Sequence, residues 1–106
     1  MDELPPRKAV LIDDETHIRT LMSSIVRSLG FQVVAQLSSD EQAAETVRKA
    51  DASLVLLDIN MPGKTGVEIL KEILAINDTC VIMLTAINDP KVIGKCLDAG
   101  ATHYIL

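Results

Sequence analysis

Short apolar runs that alternate with helical patterns dominate this chain. The runs Ala9–Ile12, Leu54–Leu57 and Cys80–Leu84 are uninterrupted, which is typical of strands that are buried on both faces. In Phe31–Gln36 apolar and polar residues largely alternate, which favours a strand nearer the edge of a sheet. With a last run before the chain ends, the pattern predicts five strands, near residues 8–13, 31–36, 53–58, 80–85 and 102–106.

Apolar residues recur at helical spacing between these strands. The first predicted helix shows this spacing in Ile18, Leu21, Met22, Ile25 and Leu29. The apolar face of the third consists of Val67, Leu70, Ile73 and Leu74. The residues of the fourth that are expected to face inward are Val92, Ile93, Cys96 and Leu97. Ser39 with Gln42 has the spacing of a capping box and predicts the start of the second helix. Asn88-Asp89-Pro90 predicts the start of the fourth, because a polar N-cap followed by proline suits a first turn.

Strands that alternate with helices predict an α/β fold, with a mostly parallel open sheet covered by helices on both faces. A length of 106 residues corresponds to one small domain. Residues 1–7, which include Pro5-Pro6, are expected to form a loose N-terminal arm. The domain itself is then expected to span residues 8–106.

Composition excludes several classes of function. The net charge is −5 and the ten basic residues are scattered, which argues against a direct nucleic-acid partner. Two cysteines in apolar settings favour free thiols in a reducing compartment. The acidic N-terminus does not resemble a signal peptide, and no apolar segment approaches the length of a membrane span. A cytoplasmic protein with no membrane partner is expected.

Polar side chains follow three of the predicted strands. Asp13 and Asp14 come after the first strand, Asp58 after the third and Thr85 after the fourth. In an open parallel sheet, ligands bind outside the carboxyl ends of the strands, so neighbouring first and third strands would bring three carboxylates together. Such a cluster is stabilised by a cation, and oxygen ligands without histidine or cysteine favour Mg²⁺. The alternative is structural: Asp14 as a helix N-cap, and Asp58 as a turn residue or helix cap.

The motifs at these positions resemble those of the receiver domain of two-component response regulators. They are Asp13-Asp14, the segment from Asp58 to Gly63 with Gly66, Thr85-Ala86, and the segment Gly100–Tyr104. The resemblance covers residues 8–106. It implies a flavodoxin-like sheet of strand order 2-1-3-4-5 and a signalling role rather than an enzymatic one.

The resemblance also implies a role for each matching residue. Asp58 resembles the phosphoacceptor that takes a phosphoryl group from a histidine kinase or phosphotransfer protein. Asp13, Asp14, Asp58 and the backbone carbonyl of Asn60 resemble ligands of Mg²⁺, for which Mn²⁺ could substitute. A phosphoryl-binding and switch role is implied for Thr85, Ala86 and Tyr104, and an output partner of unknown identity would bind the switched form.

The chain departs from the family pattern at its carboxyl end. The family has a lysine after the fifth strand, then proline and a fifth helix, and the lysine would align immediately after Leu106. We therefore expect an incomplete domain without the fifth helix, an uncovered apolar sheet face, and a homodimer or domain-swapped assembly.

Two other functions fit parts of the sequence. One is a phosphorylation-independent binding or dimerisation module of receiver fold, which the short carboxyl end favours and the intact acids oppose. The other is an aspartyl-phosphate hydrolase. It is disfavoured because Asp13 and Asp14 are adjacent instead of flanking one position, and because 106 residues leave no room for a substrate cap.

Overall fold

Five strands alternate with four helices in the computed structural model, which describes residues 7–38, 42–59, 65–84 and 89–105. The strands are β1 (Arg7–Ile12), β2 (Phe31–Leu37), β3 (Leu54–Leu57), β4 (Cys80–Leu84) and β5 (His103–Ile105). The helices are α1 (Thr16–Ser28), α2 (Ala43–Ala50), α3 (Gly66–Ile76) and α4 (Pro90–Asp98). The predicted alternation is confirmed, with strand ends shifted by at most one residue.

The strands form a single parallel sheet in the order β2-β1-β3-β4-β5. β1 and β3 are therefore neighbours near the centre, with Ile12 paired to Leu57 at their carboxyl ends. All four residues of β3 are buried, as the uninterrupted apolar run predicted. β2 is only partly buried at the edge, in agreement with its alternating pattern.

Two apolar clusters lie on the two faces of the sheet. The larger cluster joins the sheet to α2, α3 and α4, and its fully buried members include Val47, Leu70 and Cys96. The smaller cluster joins the sheet to α1 through Met22 and Val26. The predicted coverage of both faces is thus confirmed, and the described helices cover one face more heavily than the other.

The apolar residues of α1 form two stripes, and only one of them is buried. Met22 and Val26 are buried and Ile18 packs against them, because these residues share one stripe at a spacing of four. The neighbouring stripe is exposed instead: Leu21 by 57%, Ile25 by 48% and Leu29 by 65%. Only one of the two apolar stripes can face the sheet.

Helix ends agree with the sequence in α4 and differ in α2. Asp89 is the N-cap of α4, its side chain accepts the N–H of Lys91, and Pro90 follows in the first turn. Helix α2 begins after Gln42, which is its N-cap in a left-handed conformation, so the predicted N-cap Ser39 was wrong. Ser39 itself lies outside the described residues. Leu97 of α4, predicted to face inward, is 46% exposed.

Candidate functional site

The register of the two central strands brings the carboxylates of Asp13 and Asp58 together. Each aspartate directly follows a residue of the Ile12–Leu57 pair. The N–H of Asp58 donates to the carbonyl of Ile12 at 2.9 Å, and the N–H of Asp13 donates to the carbonyl of Leu37 at 3.0 Å. Both backbones are therefore anchored to neighbouring strands, so the side chains leave a rigid edge of the sheet.

Asp13, Asp14 and Asp58 form a cluster that we call the acidic triad. Each offers a carboxylate oxygen, and these oxygens all lie within 4.8 Å of one another. Asp13 is only 4% exposed, whereas Asp58 is half-buried and Asp14 is exposed, so the triad is open to solvent on one side. Hard oxygen donors around an open position fit Mg²⁺, which keeps several waters and takes one or two carboxylates.

Helix capping does not explain the positions of Asp14 and Asp58, the two less buried acids of the triad. The N-cap of α1 is Glu15, not Asp14, and it makes no side-chain cap. The N-cap of α3 is Thr65, whose hydroxyl accepts the N–H of Glu68 at 3.2 Å, so Asp58 caps neither helix. The structural alternative for Asp14 and Asp58 as helix caps was therefore wrong.

The electrostatics of the triad are unfavourable for the buried member. Burial raises the pKa of the Asp13 carboxyl above its ordinary value, and the charges of Asp58 and Asp14 raise it further. The N–H of Glu15, which donates to Asp13 Oδ1 at 2.9 Å, acts in the opposite direction without cancelling the effect. A cation bound among the three oxygens would remove this repulsion.

Arg19 supports the triad and was missed in the sequence. Its guanidinium donates to the backbone carbonyl of Asp13 and, at 3.2 Å, to the hydroxyl of Thr16. Its position one turn into α1 carries no distinctive motif, so only the fold shows that it reaches back. His17 is exposed and lies 3.0 Å from the carboxylate of Glu15.

Of the remaining predicted site residues, the structure describes only Tyr104. Tyr104 lies on β5, paired with Met83, and its half-buried ring packs against the larger apolar cluster. Asn60, Thr85 and Ala86 lie outside the described residues. The structure therefore brings together the three acids and positions Tyr104 two strands away from β3.

Comparison with known proteins assigns the family. The family model described as the response regulator receiver domain matches residues 9–106. Sporulation initiation phosphotransferase F from Bacillus subtilis is 35% identical over 99 residues, which cover 92% of this chain and 79% of that protein. The transcriptional regulatory protein PdtaR from Mycobacterium tuberculosis is 27% identical over 99% of this chain, which spans only 51% of that regulator.

Solved structures agree with the sequence comparison. The complex of CheX and CheY with BeF3 and magnesium from Borrelia burgdorferi contains a chain that superposes with a TM-score of 0.88. That chain is 26% identical, and the match covers 95% of this chain and 78% of that one. The protein described here therefore belongs to the response regulator receiver domain family of two-component signalling. Receiver-domain regulators are signalling proteins rather than classical enzymes.

Within the described part of the chain, no helix is both long enough and apolar enough to cross a bilayer.

Proposed function

We propose that this chain is a phosphoacceptor that receives a phosphoryl group on Asp58 from the phosphohistidine of a histidine kinase or phosphotransfer protein. The observation that carries the proposal is the acidic triad at the ends of β1 and β3, with its oxygens within 4.8 Å of one another. A half-buried carboxylate on a rigid strand end, beside two further acids that can hold a cation, suits phosphoryl transfer.

The transfer would be a single displacement at phosphorus. A carboxylate oxygen of Asp58 forms the new P–O bond while the P–N bond of the donor histidine breaks. The leaving nitrogen keeps the electron pair and takes a proton from water. A carboxylate is already ionised and needs alignment rather than a base, and the backbone bond from Asp58 to Ile12 provides part of that alignment.

Asp13 and Asp14, with the backbone carbonyl of Asn60, would hold Mg²⁺ or Mn²⁺ beside Asp58. When bound, the ion supplies positive charge to the phosphoryl oxygens. Thr85, Ala86 and Tyr104 are proposed to bind the phosphoryl group and carry the switch to an output partner. The half-buried position of Tyr104 on the strand next to β4 supports that role for the tyrosine.

Substitution of the phosphoacceptor tests the proposal. Asp58→Asn should abolish the hydroxylamine-sensitive label formed with acetyl phosphate or phosphoramidate and Mg²⁺, because the amide cannot act as the nucleophile. Asp78→Asn is the matched control: Asp78 is an exposed aspartate between α3 and β4, and this variant should be labelled like the wild type. A label of wild-type yield on Asp58→Asn would show that the acceptor is another residue.

Beryllofluoride distinguishes a switch from a phosphorylation-independent module of the same fold. With Mg²⁺, it should bind the wild-type chain and shift resonances around Asp58 and Tyr104. Failure of the folded chain to bind it would favour the independent module. The cytoplasmic location stays a prediction from the sequence.

We further propose that the chain forms a homodimer through its less covered face. The exposed stripe of α1, which we call the α1 ridge, consists of Leu21, Ile25 and Leu29. On the same face of the sheet, Ile82 and Leu84 are half-buried and Ile105 is 47% exposed. Apolar groups that recur on one face favour a self-complementary contact between two copies, either by direct packing or by exchange of an element.

A further inference from the structure

A cavity of about 710 Å³ lies between helices α3 and α4, on the opposite face of the sheet from α1. The residue Gly100, just after α4, lies close to α3: a Cβ built on it would be 2.8 Å from Cδ1 of Leu74 on α3. The cavity continues from there to Ile59, the residue directly after Asp58. Its volume is within the range of about 300–1,000 Å³ that is usual for ligand sites.

The floor of this α3–α4 groove is apolar. Val67 of α3 and Val92 of α4 both line it, and both are half-buried against the larger apolar cluster. Ile59 and Ala99 add two further apolar residues to the lining. Apolar side chains that remain partly accessible in a concave site are the usual means of holding the apolar face of a ligand.

Two lysines stand on opposite sides of the groove. Lys71 is the sixth residue of α3 and Lys95 is the sixth residue of α4, and both line the groove. Both are exposed, and neither has an ion pair within the part of the chain that the structure describes. Asp98 is the one acid among the described lining residues, which together carry a charge of +1 (two lysines less one aspartate).

This local charge differs in sign from that of the molecule. The whole chain carries a net charge of −5, so an acidic ligand is repelled by the molecule in general. The α3–α4 groove combines an apolar floor with two lysines that have no ion pair among the described residues, and it therefore offers such a ligand both contact area and opposite charge.

We propose that the α3–α4 groove docks an acidic amphipathic helix of a partner protein. The apolar face of the helix would lie on Val67 and Val92, and its glutamates or aspartates would pair with Lys71 and Lys95. Recognition of this kind uses apolar anchors at positions i, i+3 or i+4, and i+7. A segment of about 11 residues matches the length of α3, which has 11 residues and is about 16 Å long at 1.5 Å per residue.

The proposal does not depend on phosphorylation of Asp58. Ile59 lines the groove and directly follows Asp58, so the groove and the proposed phosphorylation site are adjacent. Asp58→Asn should nevertheless bind the helix, since it leaves the lining unchanged. A failure of the phosphoacceptor assignment would therefore leave the docking proposal intact, and the reverse also holds.

Peptide binding tests the groove directly. The probe is a fluorescein-labelled helical peptide of about 11 residues, with leucines at i, i+4 and i+7 and glutamates along both flanks. Fluorescence anisotropy should show saturable binding to the wild type below about 1 mM, with NMR shifts confined to α3 and α4. Lys71→Glu with Lys95→Glu should weaken binding at least about tenfold.

A matched double reversal controls for net charge. Arg27→Glu with Lys49→Glu places the same four-unit change, from −5 to −9, on exposed positions of α1 and α2. It should retain most of the affinity, and a peptide with lysines in place of the glutamates should prefer the Lys71→Glu, Lys95→Glu variant. Equal losses in both double variants, equal binding of a scrambled acidic peptide, or no binding at about 1 mM would overturn the proposal.

Discussion

Asp13 has the least favourable surroundings in the acidic triad. Its pKa is raised mainly by burial and further by Asp58 and Asp14, so the folded chain holds a proton on Asp13 more strongly than the unfolded chain does. Above the raised pKa the folded state must carry the buried charge, and this lowers the free energy of unfolding. As the pH falls below that raised pKa, Asp13 in the folded chain becomes protonated. The loss of stability then shrinks, and it is gone once the pH lies below the ordinary carboxyl pKa of the unfolded chain.

Asp13→Asn should therefore stabilise the magnesium-free protein at pH 7 by on the order of 1 kcal/mol. The asparagine Oδ1 can still accept the N–H of Glu15, so the local turn is retained. The same variant should lose most of the stabilisation that Mg²⁺ is expected to give the wild type, because the proposed metal site loses one of its three carboxylates. Urea unfolding with and without Mg²⁺ measures both effects.

Asp14→Asn provides the contrast. Asp14 is exposed, so its substitution should change stability in the absence of Mg²⁺ much less while still weakening the response to Mg²⁺. A magnesium response of wild-type size in both variants would contradict the triad as the metal site. A large loss of stability in Asp13→Asn would contradict the unfavourable environment assigned to Asp13.

At the scale of elements, the start of α3 is positioned by a close backbone contact. Gly66 is the first residue of the helix, and its N–H donates to the carbonyl of Ile59 at 3.1 Å. A Cβ at Gly66 would lie only 2.4 Å from Ile59 Cα. Since Ile59 follows Asp58, this contact also positions the strand end that carries the proposed phosphoacceptor.

Gly66→Ala should lower the free energy of unfolding by about 1–3 kcal/mol, because backbone atoms must shift to accommodate the methyl group. It should also slow phosphorylation of Asp58 by acetyl phosphate through displacement of the Ile59 backbone. Chemical denaturation and the rate of labelling measure the two effects.

Gly94→Ala is the matched control within α4. Apart from its chain neighbours and the nearby backbone of the helix itself, no described atom lies within 4 Å of a Cβ built at Gly94, and the residue is inside the helix. Alanine there should stabilise the chain by about 0.5–1 kcal/mol through helix propensity and leave labelling unchanged. Equal effects of the two substitutions would contradict the close approach at Gly66.

At the scale of the whole molecule, the two faces of the sheet are covered unequally by the described helices. Three helices pack on one face, whereas α1 alone packs on the other. The α1 ridge and Ile105 remain exposed on that second face. Burial of this apolar surface between two copies is the physical basis of the proposed dimer, at roughly 25 cal/mol per Å² before the entropic cost of association.

Sedimentation velocity across a dilution series tests the dimer. The wild type should sediment as a dimer at micromolar concentrations, and Leu21→Lys with Ile25→Lys should sediment as a monomer. Both side chains are about half exposed or more in the single chain, so the substitutions should cost little folding stability.

Leu97→Lys is the control for the dimer. Leu97 is 46% exposed but lies on α4, on the opposite side of the sheet, and this variant should remain dimeric. A wild-type chain that sediments as a monomer throughout the series would contradict a dimer through the α1 face.

The sequence alone determined most of the element order and the identity of the acids. A short apolar run such as Leu54–Leu57, followed by turn signals, is typical of a strand covered on both faces, so local composition was sufficient here. The Asp89-Pro90 start of α4 was likewise predictable, because an N-cap bond is made between residues close in sequence.

The tertiary structure decided which residues meet and which surfaces stay open. The pairing of Ile12 with Leu57 brings Asp13 to Asp58, and residues 45 positions apart in sequence have no local signal of such contact. The burial of Met22 rather than Leu21 depended on how α1 is rotated against the sheet. The contact from Arg19 to Asp13 and the groove between α3 and α4 also depend on how the elements pack. Sequence periodicity shows that a helix has an apolar face, but only packing determines what covers that face.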